Sequence, residues 1–221
     1  MTRLEMHAEF KLLMDKGDSL DAPSFLETEI DSFLNISQDK FISKRAFGNN
    51  PRRTTFEEDQ KRRDDLRNLI KNGVITPSSY DSALNKPNGL FFELPTDYRH
   101  AINEEALTED SHRISVKPVT HDRYNKIIDD PFNKPTLKSV YRLDYSGDLH
   151  ELICESIISE YHLRYIANPP EIAPDIDGVA QDCILADHTH REIVKMAVLE
   201  ALENVEQPRY QSSKLELNEI E

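Results

Sequence analysis

Apolar positions in the first third of the chain recur at helical spacing. Met6, Phe10, Leu13 and Met14 stand at i, i+4, i+7 and i+8, which predicts an amphipathic helix over 2–16 closed by Gly17. A second helix opens at Ser24-Phe25-Leu26-Glu27, where Ser24 and Glu27 have the spacing of a capping box, and its stripe runs through Leu26, Ile30, Phe33, Leu34, Ser37 and Phe41. The cluster Gly48-Asn49-Asn50-Pro51 breaks it. A third helix is predicted from Thr55, with Glu58 three positions on, through Leu66, Leu69 and Ile70 to a left-handed C-cap at Gly73.

From Val74 the pattern changes. Eight of the twelve prolines fall between Pro77 and Pro170, and short β-branched and aromatic runs at 90–94, 113–116, 137–145 and 160–167 predict strands. Alternation is strict in Tyr141-Arg142-Leu143-Asp144-Tyr145 and in Tyr161-His162-Leu163-Arg164-Tyr165, so each has one face for a core and one for solvent or a neighbour. A last helix is predicted from Asp187 as N-cap, with Ile193, Val194, Ala197, Val198, Ala201, Leu202 and Val205 on one stripe and Pro208 closing it. Beyond lies a polar, acidic tail in which Leu215 and Leu217 alternate with charged residues, a pattern able to add a strand to a partner's sheet edge.

These elements give an α+β fold: a small helical bundle of the N-terminal helices and a C-terminal helix, with a β-rich insertion and an extended C-terminal tail. The divisions are 1–73, 74–186, 187–205 and 206–221. Composition agrees with a subunit that completes its burial against neighbours, since 31% of the 221 residues are charged against 38% hydrophobic, and Trp is absent. No run reaches the roughly 18 to 20 apolar residues of a membrane span, and the N-terminus lacks the apolar core of a signal peptide. Cys154 and Cys183 are read as small buried hydrophobes rather than a disulfide.

The net charge of −14 is uneven: residues 1–73 carry 13 cations against 14 anions, and residues 74–221 carry 14 against 27. Tight sequence-independent duplex binding is disfavoured, because its affinity comes from cations displacing counterions from phosphates. DNA passing nearby is compatible, since acidic walls let it slide; a ring of twelve copies multiplies the charge to −168. The cations Lys44, Arg45, Arg52, Arg53, Lys61, Arg62 and Arg63 cluster, and are read either as a charged helix end or as a grip on phosphate or on the acidic face of an adjacent copy.

Chemistry is sparse. The six glycines stand at 17, 48, 73, 89, 147 and 178 and form neither phosphate-binding pattern, and no G-x-S-x-G elbow occurs. Asp187-His188-Thr189-His190, with Cys183 and Glu192 nearby, holds zinc-type ligands, but i and i+2 at a helix start diverge, so a polar first turn is the plainer reading. Asp175-Ile176-Asp177-Gly178 lacks the remaining ligands of a calcium loop, and the acidic run 104–110 reads as a solvated face. No catalytic residue, metal or cofactor is expected. A metal-dependent nuclease resting on Asp187, His188 and His190 is the enzymatic alternative.

The residue order of Leu4-Glu5-Met6-His7-Ala8-Glu9-Phe10-Lys11, Glu29-Ile30-Asp31-Ser32-Phe33-Leu34-Asn35 and Phe41-Ile42 resembles virion structural proteins of crAss-like tailed bacteriophages. Pro131-Phe132-Asn133-Lys134-Pro135, the run from Leu163 to Pro170 and His190-Arg191-Glu192-Ile193-Val194 continue the resemblance over nearly the whole chain. It implies a head-to-tail connector subunit, a ring or adaptor of the neck that extends the portal towards the tail, usually twelvefold and without catalytic residues. The implied partners are further copies of the chain and the portal protein or a neighbouring neck ring, with genomic DNA passing through and no membrane involved. Lys44, Arg45, Arg52, Arg53, Arg62, Arg63, Leu215 and Leu217 are the expected contact residues, with 206–221 docking on the portal or next ring. Another internal-capsid or tail structural protein of the same phage is the alternative.

Overall fold

The computed structural model describes residues 1–14, 25–47, 56, 59–78, 86–176 and 179–204, with backbone alone at 175, 176, 179 and 180. The fold is mixed α+β and divides into two units: Met1–Leu69 with Pro169–Glu221, and Ile70–Asn168. The first unit is therefore assembled from both ends of the chain. Residues 1–69 with 169–221 carry an excess of acid over base of 10 charges, and residues 70–168 one of 4.

In the first unit, α1 (Arg3–Met14), α2 (Glu27–Phe47) and α5 (His190–Asn204) bury Met6, Phe10, Ile30, Leu34, Phe41, Ile193, Val194, Ala197, Ala201 and Leu202. Phe10, Phe25 and Phe33 pack with ring centroids 5.6–6.4 Å apart. Leu26 is exposed rather than part of the stripe, because the helix begins one residue later and the backbone N–H of Leu26 donates to Glu29 Oε2 at 2.7 Å. The reciprocal cap is thus carried by Glu29. Ser24, Gly17 and the 48–51 breaker lie outside the described residues, as does Thr55.

The third helix departs further from expectation. α3 (Gln60–Leu66) is capped by Asp59, whose side chain accepts from the Lys61 N–H at 3.0 Å. A 3-10 turn follows at Arg67–Leu69, and the chain then becomes β1 (Ile70–Ile75), so Gly73 is a strand residue and not a C-cap. Pairing decides this: β1 finds a full antiparallel partner in β7 from Ile70↔Ile166 to Ile75↔Tyr161, and long-range pairing overrides a helical spacing of four apolar residues. At the other end, Asp187 opens a 3-10 turn instead of capping α5, and Ala186 holds the cap position without a side-chain bond. A two-stranded hairpin, β8 (Ala173–Ile176) with β9 (Val179–Gln181), completes this unit.

The second unit is one seven-stranded sheet in the order β1-β7-β3-β4-β5-β6-β2. Its other strands are β2 (Gly89–Glu93), β3 (Tyr98–Thr108), β4 (Arg113–Pro118), β5 (Val140–Tyr145), β6 (Leu149–Ile153) and β7 (Ile158–Ala167). All pairs are antiparallel except β4–β5. That exception requires a crossover, supplied by α4 (His121–Asp129), whose Tyr124 packs on Leu143 and Ile153. Three register shifts between β3 and β7 bend the sheet, and its ends meet where the Ser78 N–H donates to the Phe91 carbonyl at 2.8 Å. The enclosed core draws Phe92, Ala106, Ile114, Val116, Val140, Leu152, Tyr161, Leu163 and Tyr165 from six strands.

The longest strand, β3, has 11 residues and was masked in the sequence by its acids. Glu104, Ala106 and Thr108 turn inward and are buried, so the run 104–110 is not wholly a solvated face. β5 is buried on both faces from Val140 to Leu143, because α4 covers the face of Leu143 and the face of Arg142, expected to be open, turns into the curled sheet.

Gly89 holds a position that tolerates no side chain. A Cβ there would run into the Glu151 carboxylate, which is fully buried and fixed by the Lys86 N–H at 2.7 Å and the Tyr145 hydroxyl at 2.8 Å. Gly89→Ala is expected to lower stability by about 1–3 kcal/mol in urea unfolding, the usual cost of an overpacked site.

Candidate assembly surface

The expected contact residues separate once placed. Lys44 and Arg45 sit in the last turn of α2, and Arg62 and Arg63 on α3. Arg63 is exposed, Lys44 half-buried, and Arg62 Nε lies 3.6 Å from Asp59 Oδ2. Arg45 is buried: one of its terminal nitrogens donates to both Glu192 carboxylate oxygens at 2.9 Å, and its plane lies 4.9 Å over the Phe41 ring. Arg45 Nε is also 2.8 Å from Asp65 Oδ2, outside hydrogen-bond alignment, so that contact is electrostatic. The acidic partner expected on a neighbouring copy is, for this residue, Glu192 of the same chain. Arg52, Arg53, Leu215 and Leu217 lie outside the described residues.

Arg45 belongs to a series. Asp31, Gln38 and Arg45 are buried polar residues seven apart on α2, and each holds a different segment. Arg3 clasps Asp31 through two bonds of 2.8 Å, and His7 Nε2 adds one of 2.7 Å. Burial works against the Asp31 carboxylate, yet Arg3 and His7 outweigh it and hold its pKa below the usual range. Gln38 donates to the Pro170 carbonyl at 3.2 Å and accepts from Cys183 Sγ at 3.2 Å. The spacing of seven was present in the sequence, where buried polar residues are hidden among the exposed ones.

The residues considered for metal are bound elsewhere. His188 Nε2 contacts Asp65 at 2.8 Å, His190 donates from Nε2 to the Leu185 carbonyl at 3.0 Å, and Glu192 holds Arg45. Among the described residues no three His, Cys, Asp or Glu side chains are grouped to hold an ion. Both cysteines are free and buried, and burial raises the Cys183 thiol to about 11. No helix among the described residues is long and apolar enough to cross a membrane.

A second buried network, invisible in the sequence, lies inside the curled sheet. Glu104 of β3 binds Arg142 of β5 and accepts from the Tyr161 hydroxyl of β7 at 2.6 Å. Because Tyr161 donates to a carboxylate, its oxygen faces His150 Nδ1 at 3.2 Å as an acceptor, which places the imidazole proton on Nδ1. His150 Nε2 is 3.4 Å from Asp144, a contact that becomes an ion pair only on protonation. Burial and the Arg142 charge hold the His150 pKa down at about 4 despite Asp144. Arg142 is itself raised: burial opposes its charge, but Glu104 and Asp144 more than compensate.

Two outcomes follow from this network. Arg142→Met strands the Glu104 carboxylate and should destabilise the protein by about 3–5 kcal/mol in chemical unfolding, whereas Glu104→Gln with Arg142→Met together should recover part of it. A folded-state His pKa below the unfolded value of 6.5 means that the unfolded chain takes up the proton first, so stability is full above 6.5 and is lost as pH falls towards 4. The His150 contribution to that loss is about 3 kcal/mol, and His150→Phe should flatten the slope between about pH 6.5 and 5.

A model of the family described as phage tail ring protein 3/4 matches residues 1–212. The chain is also 29% identical over 215 residues to "Ring protein 3" of Bacteroides phage crAss001, covering 90% of this chain and 94% of that one. With a family match that runs from residue 1 to residue 212, across both folded units, the chain belongs to the phage tail ring protein 3/4 family.

Proposed function

We propose that the protein is a structural subunit of a closed ring in the head-to-tail connector of a crAss-like phage, extending the portal channel and joining capsid to tail without catalysing a reaction. The observation that carries this reading is the family match along residues 1–212. A twelvefold ring made with the portal or a neighbouring neck ring is the arrangement we favour. Each copy then presents one face to a different face of the next, a heterologous contact that closes after a fixed rotation.

The physical features support such a role. The first unit is tied by charge-assisted bonds from segments far apart in sequence, which suits a body that must hold its shape under load. Several large apolar side chains remain exposed, Phe132 at 94%, Leu12 at 71% and Leu26 at 69% among them, and such surface is ordinarily covered in an assembly. Arg63, with Lys44, Arg62 and the undescribed Arg52 and Arg53, remains the proposed polar contact, while Arg45 serves its own chain. The net charge of −14 suits a channel wall past which DNA slides. The candidate metal residues each have another bond, which favours a role without chemistry.

Native mass measurement of the full chain, alone and mixed with the phage's portal protein, followed by electron-microscope class averages, tests this. A closed ring is expected in at least one condition; a monomer that ignores the portal would overturn the connector assignment. Arg63→Glu should leave stability within about 0.5 kcal/mol, as exposed substitutions do, while lowering the fraction of chains in rings.

A further inference from the structure

The sheet of the second unit opens between β4 and β5. β4 is bonded to β3 over its first half, with Arg113↔Leu107, Ile114↔Ala106 and Ser115↔Glu105, but its pairing with β5 begins only at Val116↔Val140. Strand parity fixes which backbone groups are left over. The Thr108 N–H donates to the His112 carbonyl at 3.0 Å, so even-numbered residues at this end bond towards β3. The Val119 N–H donates to the Arg142 carbonyl at 2.9 Å, so odd-numbered residues bond towards β5. The backbone groups of Arg113 and Ser115 therefore point to the β5 side; the Ser115 carbonyl takes the Val140 N–H where the β4–β5 pairing begins, and no strand among the described residues pairs with the Arg113 N–H and carbonyl or the Ser115 N–H.

What occupies that side is a groove of about 510 Å³ lined by Asp110, Arg113, Ile114, Ser115, Leu137 and Lys138 among others. Leu137 and Ile157, on the two segments that flank it, are each 61% exposed. Ile114 and Val116 turn into the core while Arg113 and Ser115 face out. The groove is thus a partly unpaired strand edge with an apolar inner side and an outer rim that holds the cations Arg113 and Lys138 beside Asp110. Arg113 has one weak competitor, Glu105, at 3.6 Å on the surface.

We propose that residues 215–217 of a neighbouring copy lie along residues 112–114 as an added strand with Glu216 opposite Arg113, filling the opening between β4 and β5 and linking successive subunits of the ring. This rests on the ring reading and names the contact that propagates it. Leu215 and Leu217 alternate with Glu216, so in an added strand the two leucines continue the inner face beside Ile114 and Leu137, and Glu216 faces Arg113 on the rim. Residues 215–221 hold three carboxylates and no cation, the complement of the groove's rim.

Cross-linking between singly substituted full-length chains tests the contact, and the buried native thiols give little background. Ser115→Cys chains are mixed with Glu216→Cys or Asn218→Cys chains and treated with a short bismaleimide; Ser115→Cys with Lys11→Cys is the control. A covalent dimer in the first mixtures and not in the control is expected, as is a ladder of multiples from the double variant Ser115→Cys/Asn218→Cys. Arg113→Glu with Lys138→Glu should lower the dimer yield several-fold. The native mass of each sample is recorded in parallel. Rings present without a covalent dimer would overturn this contact while leaving the ring reading intact, and a double variant that cross-links only within one chain would overturn it in favour of each tail closing its own groove. Dimers lost together with rings, in unsubstituted protein that is monomeric throughout, would overturn both.

Discussion

The first unit depends on Arg45. Its guanidinium meets Glu192, 147 positions away, and Asp65, and so ties the segment before the sheet to the segment after it. Bringing two ends of a chain together across 99 intervening residues costs conformational entropy, and that cost grows only slowly with length. What matters is that the ends, once together, are held in one register. A buried charge does this sharply, because any slip leaves it without a partner in a medium that cannot solvate it. Gln38 and Asp31 repeat the arrangement one and two heptads earlier on α2, and between them the three polar residues fasten α1, the segment at Pro170 and α5.

The second unit applies the same constraint inside a sheet. Glu104, Arg142, Tyr161 and His150 come from four different strands, and their hydrogen bonds are satisfied only in the observed strand order. An apolar filling would stabilise the curl at least as well, yet it would tolerate a shifted register. This network therefore defines how β3, β5, β6 and β7 are staggered, while β4 pairs with β5 only from Val116 on.

For an assembly protein this division of labour is sensible. Interior charges hold each unit to one geometry, so that surfaces repeated around a ring meet at a constant angle. Exposed apolar side chains and the open strand edge are then available for neighbours. An unpaired edge is a hazard in a monomer, but it becomes a connector when a matching segment is supplied by the next copy.

The sequence by itself determined the amphipathic elements and the family. Helices α1, α2 and α5 and the strands around 90–94, 113–116, 137–145 (observed from Val140) and 160–167 were legible because burial on one face writes a period of 3.6 or 2 into the chain. The mixed α+β class followed, and the order of residues such as Leu4 to Lys11 carried the resemblance. The tertiary structure alone decided the rest. It made Ile70–Ile75 a strand, since the deciding term was pairing with Ile158–Ala167 nearly a hundred residues away. It turned Glu104 inward, assigned Arg45 to its own chain, and separated β4 from β5 at the groove. In each case the residue's local neighbours carried no information, because a charge is stabilised or stranded by groups that only the folded chain brings within a few ångströms.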